Sequence, residues 1–337
     1  MILLSDNADR ASVLISGSTR LFVLAFLVGS LVPAFGQPET WDIVKIRGRD
    51  YLKGSQVAKY YDLEATREGS KVIFSGPRMQ MEAVVDSDTA KINGTSFLLS
   101  FPFAESKGEV LVSRVDLCKL LHPVLKPEAI RGAQDFDTVV IDPGHGGRKP
   151  GSKGAHAFEK IYTLDLAKKL WKKLVLRGFT VQFTRLDDKF VSLPERVTRA
   201  NKWERAIFVS LHFNSHSSDR PNGLETFAIT PPGTPTSGEN KSKPETWRGN
   251  LRDAESIALA TAVHTSALET TRANDRGVRR ARFHVLRGLD MPGILFEGGY
   301  ISNLEEGENI DKDAYRDLLA HAIADGIETF HAALQRE

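Results

Sequence analysis

Four residues in the second half of the chain have the types and placement for metal-assisted chemistry: His145, Glu159, His212 and Glu297. His145 sits in DPGHGG, directly after the apolar run VVI, and Glu159 opens a helical stretch fourteen residues later. His212 lies at the end of AIFVSLHF, and Glu297 at the end of ILFE. If these apolar runs are strands of an open α/β sheet, their carboxyl ends share the edge where such sheets collect ligand sites. A hydrolytic zinc centre keeps three protein ligands of the His/Glu kind, and a further carboxylate beside it can take and return protons. Each residue also has a plainer reading. His145 alone suits a turn, Glu159 suits a helix start that favours negative charge, and His212 suits a hydrogen-bonded core position. Glu297 is harder to set aside, because an acid closing an apolar strand must be paired or put to use. Taken together, the four point to one site.

The elements that must position these groups alternate from Thr138 onward. VVID, TVQFT, AIFVSLHF, LETFAIT and GILFEGG read as strands. Residues 159–178, 192–203, 253–269 and 313–335 read as helices, the first with apolar Ile161, Leu164, Leu170, Trp171 and Leu174 and a stop at Gly178. This alternation predicts an α/β catalytic domain over 138–337, with a mostly parallel sheet flanked by helices. Residues 231–250, PPGTPTSGENKSKPETWRGN, break the rhythm and are expected to form a mobile flap or rim rather than a plug helix.

Upstream, residues 41–126 predict a small α+β module with an internal repeat. RGRDYLKGSQVAKYY (47–61) aligns without a gap on KGEVLVSRVDLCKLL (107–121), each copy a Gly turn, a short strand and a helix. The module has no cluster of His, Cys and acids, and resembles the copper amine oxidase N-terminal-like domain, a non-catalytic module of exported bacterial wall enzymes. Residues 127–137 read as a linker, so module and catalytic domain are expected to fold separately, the module holding the enzyme near its polymer. Cys118, the only cysteine, is expected to be a small buried hydrophobe. With a net charge of +2, no nucleic-acid or polybasic membrane footprint is indicated. LFVLAFLVGSLV at 21–32, after Arg10 and Arg20 and before Ala34-Phe35-Gly36, reads as a signal peptide over 1–36. It is too short for a stable transmembrane span. An exported protein of the periplasm or cell envelope is therefore expected.

DPGHGG, Glu159, SLHFNSH, RGVRRARFHVLRGLDMPGILFEGGYISN and the closing helix resemble the zinc-dependent N-acetylmuramoyl-L-alanine amidases of the amidase-3 family. The resemblance runs over 138–335. It implies one Zn²⁺ held by His145, Glu159 and His212, with Glu297 as catalytic acid/base, and peptidoglycan as substrate. The bond cut would join the lactyl group of N-acetylmuramic acid to L-alanine. By the same resemblance Asn214 and Arg279 are candidates to touch substrate or to support ligands, and Glu225 to orient a ligand histidine. Arg196 and Asn201 are expected to tie a helix to the sheet. The glycines of DPGHGG are expected to aim His145, and Gly298-Gly299 to keep the Glu297 side open. Two other readings remain: a catalytically silent peptidoglycan-binding or regulatory protein on the same scaffold, and a zinc peptidase cutting within peptides. The sequence names no protein activator.

Overall fold

Two turns with the same backbone shape begin the fold. Arg47 (φ 49°) and Gly48 (φ 78°) match Lys107 (φ 53°) and Gly108 (φ 78°), sixty residues on. Positive φ at both central residues is the two-residue hairpin geometry that suits the twist of flanking strands. The computed structural model describes residues 41–77, 79–237, 239 and 241–335, so the leader read at 1–36 lies outside the described residues. The first hairpin joins β1 (Ile43–Ile46) to β2 (Arg49–Lys53), followed by α1 (Gly54–Tyr60). Five strands come next: β3 (Glu64–Glu68), β4 (Lys71–Gly76), β5 (Met79–Val84), β6 (Thr89–Ile92) and β7 (Thr95–Leu98). The second hairpin joins β8 (Ala104–Ser106) to β9 (Glu109–Ser113). After it come α2 (Arg114–Asp116), a π turn (Leu117–Leu121) and α3 (His122–Leu125). β2 pairs antiparallel with β9, and Leu52 lies opposite Val112, its own equivalent in the repeat. The two copies are thus arranged about a local twofold through that pair, in the order β1-β2-β9-β8. Their helices bury different faces, Val57 and Ala58 in one, Leu117, Leu120 and Leu121 in the other. Cys118 accordingly faces solvent, contrary to the expectation of burial.

The remaining elements are β10 (Thr138–Pro143), α4 (Glu159–Leu176), β11 (Thr180–Phe183), α5 (Leu193–Ala200), β12 (Ala206–Asn214) and β13 (Leu224–Ile229). They continue with β14 (Thr234–Pro235), β15 (Ser242–Lys243), α6 (Asp253–Thr271), β16 (Asp275–Ala281), α7 (His284–Arg287), β17 (Gly293–Tyr300), α8 (Leu304–Asp311) and α9 (Asp313–Leu334). α4 buries Tyr162, Leu166, Leu170 and Leu174, an i, i+4 stripe. That stripe is rotated from the expected one, since Ile161 and Trp171 are exposed. β10, β11, β12 and β17 run parallel, and β13 pairs parallel with β16. β13 is antiparallel to β17, and β3 to β7 are antiparallel to one another. The sheet is therefore mixed rather than mostly parallel. The fold class remains α/β.

The break expected between module and catalytic domain is bridged by structure. β7 pairs with β16 through Phe97 and Val278, so one sheet runs β11-β10-β12-β17-β13-β16-β7-β6-β5-β4-β3. One buried cluster contains Phe74 and Phe97 from the module and Leu259, Val278 and Ile294 from beyond it. Lys119 Nζ meets Asp253 at 2.9 Å, and Thr95 Oγ1 meets Thr265 Oγ1 at 2.9 Å. The segment read as a linker is anchored as well, with Phe136 buried and stacked at 5.8 Å on both Phe179 and Phe330. The described residues from Trp41 onward belong to one compact unit.

Shared packing has a calorimetric signature. Phe97→Ala empties a fully buried position and should cost about 3–5 kcal/mol. A single unfolding transition should move down as a whole, on the order of 5 °C. Two transitions, with only one displaced, would mean that module and catalytic domain unfold independently.

Candidate metal centre

The site is built on a turn whose carbonyls are held from beneath. β10 ends in Asp142 and Pro143, both buried, and the chain then turns through Gly144 to His145, which has a left-handed φ of 61°. A residue other than glycine in that region carries strain that its surroundings must hold. Arg196, buried on α5, donates through Nη1 to Asp142 Oδ1 and to the Pro143 carbonyl, both at 2.7 Å, and through Nη2 to the His145 carbonyl at 2.5 Å. Arg185 donates to the Pro143 carbonyl at 2.9 Å and to the Gly144 carbonyl at 2.7 Å. Asp142 also accepts from Ser210 Oγ at 2.8 Å and Thr184 Oγ1 at 2.5 Å. Burial alone would raise the Asp142 carboxyl, but the Arg196 charge and these donors hold it below its ordinary value. Gly144 is glycine for a steric reason: a Cβ there would stand 2.3 Å from the His212 ring.

Above this base, three side chains meet. His145 Nε2 is 2.9 Å from Glu159 Oε2, and His212 Nδ1 is 2.9 Å from Glu159 Oε1. The imidazoles lie edge to face with centroids 4.9 Å apart. One ligand atom from each residue falls within 4.8 Å of the others, so the group could hold a metal ion. Two imidazoles and one carboxylate are donor types that zinc takes, so the chemistry of the set is compatible with that metal. Glu159 is fixed by its own backbone contacts: Oε1 accepts from Phe213 N at 3.1 Å and Oε2 from Ser152 N at 3.1 Å. Burial would raise its carboxyl, but the two imidazoles hold it well below the usual carboxylate range. Burial would likewise depress His212, and the Glu159 carboxylate outweighs it, lifting the imidazole above its ordinary value.

Glu297 flanks this trio on β17, opposite His212 in the parallel register. Its Oε2 is sealed from solvent and has no hydrogen-bond partner among the described residues. Burial, with smaller contributions from Glu159 and Glu225 against the pull of His212, pushes its carboxyl up to about 8. A cleft of about 610 Å³ lies beside these side chains, its walls including His145, Phe190, Leu193, His212, Phe283 and Glu297. No described residue of 231–250 lines that cleft. The expected flap carries the short hairpin β14–β15 and is held against β16 instead. There Ser237 N donates to the Arg280 carbonyl at 3.0 Å, and Arg282 reaches Thr236 Oγ1 at 2.7 Å.

The other sequence-predicted residues form a separate group. Glu225 lies across from Glu297 in the β13–β17 register but touches neither ligand histidine. It accepts from Asn214 Nδ2 at 2.6 Å, Arg276 Nε at 3.0 Å and Tyr300 Oη at 3.2 Å, with Arg279 Nε at 3.3 Å. Its expected role in orienting a histidine is thus not what the geometry provides; it binds Asn214 and Arg279 together. Gly298 and Gly299 do not keep the cleft open either. A Cβ on Gly298 would stand 2.9 Å from Phe213, and Gly299 has a φ of 116° and faces Glu306. Asn201 ties the end of α5 to the end of α7 rather than to the sheet, donating to the Gly288 carbonyl at 2.9 Å.

A family model described as N-acetylmuramoyl-L-alanine amidase matches residues 139–329. The chain belongs to that family. Among its relatives, the amidase LytC of Bacillus subtilis is 32% identical over 195 residues, 58% of this chain and 36% of LytC. The probable cell wall amidase LytH of Staphylococcus epidermidis is 31% identical over 199 residues, 58% of this chain and 59% of LytH. The chain thus matches well under two thirds of either relative's length. The solved amidase AmiC2 of Nostoc punctiforme, 33% identical, superposes with a TM-score of 0.50 over 60% of this chain and all of its own. In this amidase-family chain the sequence reading missed Asp142, Arg185 and Tyr300, and saw Arg196 only as a tie. One signal was available: an acid inside the apolar run VVIDP has to find a buried cation.

Two outcomes test the electrostatics. A carboxyl near 8 in the folded state and 4.5 when free keeps its proton longer in the fold, so stability is lost as pH rises through that window. In metal-free protein, Glu297→Gln should therefore match the parent near pH 5 and melt on the order of 5 °C higher near pH 8.5; equal melting at both would remove the raised carboxyl. Arg196→Lys keeps charge but loses the fork that holds His145, and should weaken metal binding about 10–100-fold in a competitive chelator titration.

Proposed function

We propose that this protein is an exported, zinc-dependent N-acetylmuramoyl-L-alanine amidase that cuts the lactyl–L-alanine amide of peptidoglycan. The observation that carries the reading is the meeting of His145, Glu159 and His212 beside an unpartnered, buried Glu297 oxygen in an open cleft. Family membership supports the substrate class, and the apolar run at 21–32 supports export to the periplasm or cell envelope. No helix among the described residues is long and apolar enough to cross a membrane.

His145, Glu159 and His212 would hold the ion, which when bound supplies a Lewis acid that polarises an amide carbonyl and acidifies water. The chain's own groups do the rest. Arg185 and Arg196 keep the turn carbonyls in place, so His145 stays aimed at Glu159 and His212. Glu297 in its ionised form takes the proton of the attacking water, and in its protonated form gives it to the departing alanine nitrogen. A carboxyl that titrates near neutrality is suited to both directions, and such transfer is typically worth about 10²–10⁴-fold. The cleft walls, Phe190, Leu193 and Phe283 among them, offer apolar surface against which the lactyl and alanine methyl groups can lie.

Metal content and turnover should separate in variants. His145→Ala and His212→Ala should lose zinc and activity together, whereas Glu297→Ala should retain zinc with turnover reduced at least about 100-fold. Mass spectrometry of digested muropeptides should show sugar parted from an intact L-alanine-terminated peptide. Peptides cut internally would instead identify a peptidase, and zinc-loaded protein releasing nothing would identify a silent binding scaffold.

A further inference from the structure

The face of the sheet that carries Glu297 does not stop at the catalytic strands. Glu297 is opposite Glu225, Leu295 is opposite Phe227, and Phe227 is opposite Arg279. On the next strand Val278 pairs with Phe97, both core-facing, so Ser96 and Leu98 point to the Arg279 side. Ser96 then pairs with Lys91, and Lys91 with Glu82. The module buries the other face through Val72, Phe74, Met81, Ala83 and Phe97 and leaves this one open to solvent. A groove of about 470 Å³ runs there, lined by Lys71, Lys91, Leu98, Asp275, Arg276 and Arg279.

Between groove and cleft stands buried Glu225, which both arginines touch and which lies opposite Glu297 in the strand register. Charge in the groove is in surplus on the positive side. Arg276 and Arg279 share one carboxylate, Glu225, and Lys71 is matched by Glu82 at 2.8 Å. Asp275 is taken up by His264 Nε2 at 3.0 Å and by Ser96 N at 2.7 Å, and Lys91 stands exposed. From β17 to β6 is four strand spacings, about 19 Å. An extended peptide of five residues reaches about 16–18 Å.

Building on the amidase reading, we infer that this groove extends the substrate site and receives the carboxylate-bearing peptide arm on the nitrogen side of the scissile amide. The module is then a wall of the binding site, with Arg276 and Arg279 near its middle and Lys91 toward its end. This places part of substrate recognition on residues before the catalytic domain.

The full-length protein can be assayed on soluble N-acetylmuramoyl peptides of two and five residues. Lys91→Glu should lower the five-to-two ratio of kcat/KM about 5-fold, through KM, and Lys107→Glu, in a turn of the other module sheet, should leave the ratio unchanged. Amidating the carboxylates of the longer peptide should erase the difference between Lys91→Glu and the parent. An unaltered ratio in Lys91→Glu overturns the inference. So does a loss that persists on amidated peptide and grows with glycan length, which would assign the face to sugar. A parent protein that frees no L-alanine-terminated peptide from either substrate removes the amidase reading itself.

Discussion

The site depends on a buried ion pair beneath the turn that carries His145. Asp142 and Arg196, both nearly without exposure, lie 2.7 Å apart beneath the glycine turn. Such a pair gives little net stability, because desolvation offsets most of the attraction, while loss of one partner leaves an uncompensated charge worth about 3–5 kcal/mol. Its consequence here is positional. The Arg196 fork is planar and fixed, so once Asp142 orients it, its remaining donors reach the Pro143 and His145 carbonyls. Three successive carbonyls, at 143, 144 and 145, are thereby satisfied by guanidinium groups rather than by a ladder. The backbone is free to leave the strand and adopt the left-handed turn that points His145 at Glu159.

Sheet continuity couples this local device to the whole molecule. The turn after β10 carries His145, β12 carries His212 and β17 carries Glu297 at one edge, and β13 and β16 carry Glu225 and its arginines beside them. β7 then hands the sheet to the module, whose apolar face completes the core under α6. An open β16 edge would be a pairing hazard, and β7 covers it. The module is therefore part of the architecture that sets the site, whatever further contact it makes with substrate.

What was legible beforehand follows from how far each signal reaches along the chain. The strands after which His145, His212 and Glu297 sit are runs of apolar residues, and the rule that ligand sites gather beyond strand ends needed no partner information. The repeat at 47–61 and 107–121 was visible because its turns demand glycine at fixed places. Burial phase was harder. In α4, Ile161 and Trp171 looked like core, but the buried stripe is set by where α9 and the sheet lie, and it selects Tyr162 and Leu166. The exposure of Cys118 likewise follows from which face of its helix the neighbouring elements cover. Antiparallel pairing of β13 with β17 and the joining of β7 to β16 are long-range choices that apolar periodicity does not encode. The partners of Glu225 were also out of reach, since Asn214, Arg276 and Tyr300 meet only once three strands are assembled.

That assembly explains why two neighbouring glutamates have different parts. Glu225 and Glu297 face each other across one register position. Glu225 is surrounded by two guanidinium groups, an amide and a phenol. Glu297 has one oxygen enclosed with no donor, so burial governs it and favours the proton. Two carboxylates in one environment would compete for a single charge. Here the arginines of β16 pair with Glu225, and the nearness of Glu225 adds to the burial that raises Glu297. Unlike surroundings thus divide like groups, one carboxyl held by cations and hydrogen-bond donors, the other enclosed and able to exchange a proton near neutral pH.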